Sequence, residues 1–266
     1  MSSEMFDSRR IAVVPAYNEE PTVATVLDEL YPLVDQLVIV DDGSTDATRA
    51  VVERWMPADG HARLLTFDRN RGMSAAYYLA FTDLRRRMHD GELHPDDLVF
   101  TVDADGQHEL EAFEKLQRQT LDERLDALLV QRDLSTYPRY KQWGNELMSW
   151  WARRWSNGVD LRDVESGYRV FRLGALADAL DYYKGYKYSE TVEVAIVLSR
   201  LGYSVRNDVL VPVPVFRSRT RMKDVVIDLV AMPMAAARVA LRRREATAPA
   251  PLVASPVVAP AQHEST

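Results

Sequence analysis

The strongest constraint on how this 266-residue chain folds is an alternation of short apolar runs with longer helical stretches through its first half. Ile11–Pro15, Leu37–Asp41, Arg63–Phe67, Leu98–Asp103 and Ala127–Val130 are short, β-rich and bounded by polar residues, which predicts strands. The intervals between them are long enough for crossover helices. The expected fold class is therefore α/β, with one mostly parallel central sheet flanked by helices. In such sheets ligands bind beyond the carboxyl ends of the strands. Those ends carry Pro15-Ala-Tyr-Asn-Glu19, Asp41-Asp-Gly-Ser44, Asp68-Arg-Asn70 and Asp103-Ala-Asp105, so polar side chains converge on one edge.

The second half is expected to finish the sheet. Tyr137–Trp155 spaces aromatic and basic residues at helical intervals, and that spacing reads Trp143, Trp150, Trp151 and Trp155 as core, with a lipid-lining groove as the alternative. Glu165-Ser-Gly-Tyr-Arg169 leads into an apolar run, Ser189–Leu201 reads as a helix, and Ser204–Phe216 as extended chain. The predicted layout is an N-terminal extension over 1–9, a single domain over 10–222 with halves 10–131 and 132–222, an amphipathic helical segment over 223–245, and a flexible tail over 246–266 rich in Ala, Pro, Val and Ser. No internal repeat is present.

Composition narrows the function classes. A formal charge of -7 and a pI near 5.3 oppose a nucleic-acid binder, which needs a basic surface. With no cysteine there is no thiolate ligand, nucleophile or disulfide, in keeping with a reducing compartment. His61, His89 and His94 lack metal-like spacing. The N-terminus has acidic residues and no apolar core before Ile11, so no secretory signal is expected. The longest apolar stretch, Val225–Leu241, contains Asp228, Pro233 and Arg238 and falls short of the roughly 20 clean residues that span a bilayer.

Two acidic clusters carry the chemistry. Asp103 and Asp105 follow the strand Leu98-Val-Phe-Thr-Val102, and alternate residues of an extended segment face the same way, so both carboxylates can meet one ligand. Paired carboxylates suit Mg²⁺ or Mn²⁺ with positions left open for diphosphate oxygens; Gln107 and His108 stand close enough to add or orient a ligand. In Val38-Ile-Val-Asp-Asp-Gly-Ser-Thr-Asp46, Asp42 can accept hydrogen bonds from a base or ribose, Gly43 allows close approach of a ligand to the backbone, and Ser44 or Thr45 can cap the next helix.

Taken in order, Val14-Pro-Ala-Tyr-Asn-Glu-Glu20, Val40-Asp-Asp-Gly-Ser-Thr-Asp-Ala-Thr48, Asn70-Arg-Gly72, Asp103-Ala-Asp-Gly-Gln-His108 and Glu165-Ser-Gly-Tyr-Arg169 resemble family 2 glycosyltransferases of the dolichol-phosphate mannose synthase type, over roughly Ile11 to Lys223. The resemblance implies a GT-A fold and inverting transfer of a hexose from a nucleotide-diphosphate sugar, GDP-mannose or a UDP-hexose, to a polyprenyl phosphate. It makes 10–131 the nucleotide-sugar and metal half and 132–222 the acceptor half. Pro15, Tyr17, Glu19, Asp42, Asp103 and Ala104 fall to the nucleotide sugar, together with Arg217 and Lys223, and Asp103, Asp105 and Gln107 to the metal. Asp105, Arg132 and Arg169 are the catalytic candidates, with Arg139 and Glu193 on the acceptor side. A phosphate acceptor arrives already anionic, so positioning cations replace a general base. Lys141 belongs to the same basic set.

The chain departs from its relatives in one run. Where they carry Arg-x-x-Gly-x-Ser-Lys, this sequence has Arg217-Ser-Arg-Thr-Arg-Met-Lys223, with Thr220 and Met222 in place of the small residues. The longer Arg206–Pro212 interval leaves Asn207 and Asp208 without a role, and Glu193 has helix-surface exposure as its alternative. The helical segment before Arg242-Arg-Arg244, expected to kink at Pro233, fits a peripheral contact with an anionic membrane, consistent with a cytoplasmic protein at the inner face, or equally packing on the domain or on a second subunit of a homo-oligomer. The rival functions are the same donor chemistry with a soluble hydroxyl acceptor, and a nonenzymatic nucleotide-sugar-binding scaffold.

Overall fold

The computed structural model describes residues 8–106, 110–135, 137–183, 190–212 and 222–247. The expected strands form as β1 Arg10–Ala16, β2 Gln36–Asp41, β3 Ala62–Thr66, β4 Leu98–Thr101 and β5 Ala127–Arg132, each within a residue or two of its sequence bounds. Two more, β6 Arg169–Arg172 and β7 Val205–Val211, complete a seven-stranded sheet in the order β3-β2-β1-β4-β6-β5-β7. β6 runs antiparallel to both β4 and β5, and every other pairing is parallel. Its four residues follow Glu165-Ser-Gly-Tyr168 directly, so that motif enters the sheet from the edge at which β1 to β5 end.

Alternate strand residues build two cores, one on each face. Ile11, Val13, Val38, Val99 and Leu129 pack under α3 Met73–His89, α5 Arg139–Trp155, α6 Leu173–Ala179, α7 Glu190–Leu201 and α8 Met222–Thr247. Ala12, Val14, Ile39, Phe100 and Leu128 pack under α1 Val23–Leu30, α2 Thr48–Trp55 and α4 Phe113–Asp122. Central strands covered on both sides must be apolar throughout, which is why their sequences read as continuous runs.

Several expectations are corrected here. α8 runs helical through Pro233, its apolar side against α7 and α5, and continues to Thr247, so Ala246 and Thr247 belong to it rather than to a tail; 248–266 and 1–7 lie outside the described residues. Trp151 and Trp155 pack against the core as expected, but Trp143 and Trp150 are 66% and 56% exposed. Glu193 is fully buried on α7 and ion-paired with Arg238 of α8. It is not a helix-surface acid, because α8 covers that side of α7.

Candidate active site

The loops after β1 and β2 are laced together. The Asn18 N–H donates to Ser44 Oγ at 3.1 Å, and the Thr45 N–H to Asn18 Oδ1 at 2.8 Å. The Glu19 N–H donates to Thr48 Oγ1 at 2.8 Å, and the Ala47 N–H to Glu20 Oε2 at 3.1 Å. Asn18 turns the chain at φ 55, a conformation asparagine tolerates better than most residues. Ser44 and Thr45 are thereby engaged with the β1 loop, and it is Asp46 Oδ1 that accepts the Thr48 N–H at 3.0 Å at the start of α2. Tyr17 stands half-exposed at the rim, while Pro15 is buried within β1.

Asp42 serves the third loop. Its two carboxylate oxygens accept the N–H groups of Arg71 and Gly72 at 2.7 and 2.8 Å. Burial pushes its pKa above the ordinary value, with the neighbouring Asp41 adding to the rise and the two amides opposing it. Gly43 has a different reason from the one its sequence suggested. A Cβ there would lie 2.3 Å from the Arg69 carbonyl carbon, so the glycine at φ 66 admits the Arg69–Asn70 backbone rather than a ligand.

Asp103 and Asp105 follow β4, half-buried, with Ala104 buried between them and its carbonyl accepting Thr22 Oγ1 at 2.8 Å. Tyr77 Oη lies 3.5 Å from Asp103 Oδ1. Across from Asp103 stands Gly167, whose absent side chain makes the room: a Cβ would come 2.8 Å from Oδ2 and 3.2 Å from Oδ1. Among the described residues no three His, Cys, Asp or Glu gather as a metal cage. Two carboxylates with a glycine-lined space beside them nonetheless fit a hard cation that keeps open positions for phosphate oxygens. Gln107 lies outside the described residues.

On the far side of the edge, Arg132 ends β5 and forks onto Asp163, with Nε–Oδ2 at 2.8 Å and Nη2–Oδ1 at 2.9 Å. Glu165 approaches at 3.6 Å. Burial works against the charge of Arg132, but the Asp163 carboxylate outweighs it and holds the guanidinium pKa above its ordinary value. Asp163 is in turn fixed by Asn207 of β7, whose Oδ1 accepts the N–H groups of Arg162 and Asp163, both at 2.7 Å, while its Nδ2 donates to the Leu129 carbonyl at 2.9 Å. Arg139 is exposed at the start of α5, its guanidinium 5.9 Å from the Trp143 ring centre.

Arg169 is engaged elsewhere. It is buried, and its guanidinium donates to the Ser166 carbonyl at 2.7 Å, to that of Val164 at 2.9 Å, and to that of Thr191. The edge that meets solvent thus holds Asp103, Asp105, Arg132 and Arg139, whereas Arg169 and Glu193 lie beneath it as braces. Arg217 is outside the described residues, and Lys223 is described only by its backbone, in the first turn of α8. Asp163, Asn207 and the role of Gly167 were missed from sequence. Asn207 had a signal: it is the polar member of the inward-facing series Val205, Asn207, Val209, Val211.

These features are those of a GT-A glycosyltransferase. The sequence profile of glycosyl transferase family 2 matches residues 11–176, more than half of the chain, and the protein belongs to that family. It is 27% identical over 183 residues to the polyprenol monophosphomannose synthase of Mycolicibacterium smegmatis, a match covering 63% of each protein. It is 25% identical to the undecaprenyl-phosphate mannosyltransferase of Micrococcus luteus, over 73% of this chain and 79% of that one. Glucosyl-3-phosphoglycerate synthase of Mycobacterium tuberculosis, solved with Mn²⁺, uridine diphosphate and phosphoglyceric acid, shares the fold at TM-score 0.63 and 19% identity, over 88% of this chain and 79% of that one.

Proposed function

We propose that the protein is an inverting, metal-dependent hexosyltransferase that moves a sugar from a nucleoside-diphosphate donor to a polyprenyl phosphate. The carrying observation is the placement of Asp103 and Asp105 on the same sheet edge as Arg132 and Arg139, acids toward the β1–β3 loops and cations beyond them. The mannosyltransferase relatives support the lipid acceptor, and leave GDP-mannose and UDP-hexoses as the donors to test.

In this reading Pro15, Tyr17, Glu19 and Asp42 border the nucleoside, and Asp103 and Asp105 would hold Mg²⁺ or Mn²⁺. The cation supplies charge neutralisation to the departing nucleoside diphosphate. Arg132, its direction fixed by Asp163, and Arg139 orient the acceptor phosphate behind the anomeric carbon. The attacking oxygen is already anionic, so no side chain has to take a proton. Glu193, buried and ion-paired with Arg238, supports the acceptor side from beneath.

Two measurements test this reading. Labelled sugar should pass from a nucleotide sugar into a polyprenyl-phosphate extract only with divalent metal. Asp105→Ala should remove the metal-dependent part of donor binding. Transfer to soluble phosphorylated or hydroxyl acceptors without lipid product would overturn the acceptor, and metal-dependent binding unchanged in the variant would overturn the metal role.

A further inference from the structure

The start of α3 touches both acidic clusters of the sheet edge. Asp42 accepts the N–H groups of Arg71 and Gly72, the two residues ahead of the helix, at 2.7 and 2.8 Å. Five residues past Gly72, Tyr77 brings its hydroxyl to 3.5 Å from Asp103 Oδ1. Between these two contacts the helix is pinned by Tyr183, whose hydroxyl donates to the Ser74 carbonyl at 3.0 Å. One helical element therefore links Asp42, after β2, to Asp103, after β4.

The Tyr77 side chain is set in place by its surroundings. It is 2% exposed, and its ring stacks on Phe81 one turn further along, with centroids 5.4 Å apart and planes at 26°. Phe81 in turn meets Phe171 of β6 edge-on at 6.4 Å. That row of rings leaves the phenol little room to swing. The other two rings are phenylalanines, so packing alone calls for no hydroxyl here. A buried hydroxyl costs desolvation unless a polar partner accepts it, and a carboxylate is a strong acceptor. Gly167 closes the opposite side of the same carboxylate, where a Cβ would lie 2.8 Å from Oδ2, and the Thr101 hydroxyl ties the Gly167 carbonyl at 2.5 Å. Asp103 is thus bounded by a phenol at Oδ1 and by glycine backbone beside Oδ2.

We propose that Tyr77 is a positioning residue for the metal site: its phenol holds Oδ1 of Asp103 and so aims the carboxylate at the cation. The proposal rests on the reading of Asp103 and Asp105 as metal ligands. A carboxylate free to turn loses rotamer freedom when a cation binds, whereas one already oriented by a hydrogen bond loses less, so the hydroxyl strengthens metal binding without touching the ion. The phenol is neutral, so it orients Asp103 without cancelling the charge that the cation needs. A lysine or arginine in its place would orient the carboxylate at the expense of that charge. Because α3 starts at the loop held by Asp42, the same contact ties the position of Asp103 to that of Asp42.

Tyr77→Phe tests this, because it removes the hydroxyl and keeps the ring. Mn²⁺ is titrated into the full chain at high UDP, and in parallel at high GDP, with the bound ion read from the loss of the paramagnetic resonance signal of free Mn²⁺. The variant should bind Mn²⁺ about three- to tenfold more weakly than wild type, below the roughly ten- to hundredfold effect of losing a close partner because the 3.5 Å contact is long. Excess Mn²⁺ should return its nucleotide affinity to the wild-type value, a recovery that damage to the packing would not allow. Equal Mn²⁺ affinity in the two proteins overturns the proposal and leaves the metal reading standing. A loss of nucleotide affinity that excess Mn²⁺ fails to restore assigns Tyr77 to packing and overturns it as well. A wild-type chain that takes up no Mn²⁺ with either nucleotide overturns the metal reading and the proposal together.

Discussion

Replacing Gly167 with alanine separates site geometry from stability. The new Cβ would stand 2.8 Å from Asp103 Oδ2, against the 3.4 Å at which ordinary contact begins, so about 0.6 Å must be made up. Gly167 is poorly placed to yield, because its carbonyl accepts the Thr101 hydroxyl at 2.5 Å and Arg169 braces the same loop through Ser166 and Val164. The carboxylate must swing instead, with Tyr77 Oη 3.5 Å from its other oxygen. Displacements near 1 Å in a reacting array cost about a hundredfold, or roughly 2.7 kcal/mol of transition-state stabilisation. The backbone at Gly167 lies outside the positive-φ region, so alanine adds no backbone strain there. Transfer assayed at saturating metal should therefore fall between about tenfold and a hundredfold, while the urea midpoint stays within error of wild type. Full activity in Gly167→Ala would refute the claim that this glycine keeps space for Asp103; loss of activity together with loss of fold would refute its separation from stability.

Three further substitutions probe the supports. Gly43→Ala places a Cβ 2.3 Å from backbone at φ 66 and should destabilise the chain by at least about 1–2 kcal/mol in urea unfolding, a cost that an unchanged midpoint would disprove. Asp163→Asn removes the nearer of the two carboxylates beside Arg132, leaving Glu165 at 3.6 Å, and should cost up to about 3 kcal/mol, the low end for a broken buried pair because Arg132 keeps 26% of its side chain exposed; acceptor KM should rise more than donor KM, and equal effects would refute the acceptor-side role. Asp35 is held below the ordinary carboxylate range first by the Arg10 side-chain hydrogen bonds, despite an opposing effect of burial. Its folded pKa is depressed, so its contribution is present above the unfolded value of about 4 and fades as pH falls through the folded one. Asp35→Asn should accordingly show a shallower loss of stability below pH ~4 than wild type, and parallel curves would contradict the assignment.

The polar edge of the sheet was legible because each of its strands is an apolar run that gives way to Asp, Asn or Glu, and a parallel sheet brings such stops to one side. What sequence could not supply was which loop touches which. The sequence put Asp42 and Gly43 at the ligand edge without showing that a third loop also rests on them. Their partners, Arg69 to Gly72, come from a loop thirty residues away, and only the path of that loop past β2 reveals it. The insertion of β6 between β4 and β5 was equally hidden, since a four-residue strand carries no period long enough to show its direction. The exposed tryptophans failed for a related reason: helical spacing reports that Trp143 and Trp150 share a face, but not whether that face meets the sheet or the outside.

The segment from Asp163 to Arg169 explains why a motif of modest chemistry belongs beside a strong one. Its first residue forks onto Arg132, Glu165 stands near the same guanidinium, Gly167 makes room for Asp103, and Arg169 turns inward to tie three carbonyls, two of them within the loop itself. A buried arginine that satisfies backbone acceptors stiffens the turn, which Val164 and Tyr168 also anchor by their burial in the two cores. The loop therefore fixes the spacing between Asp103 and Arg132. Arg169 looked like a phosphate ligand because cations in such a motif usually meet anions. Buried here, it sets the spacing between the two halves of the site, and a lysine in its place, without the planar fork, could not hold all three carbonyls at once.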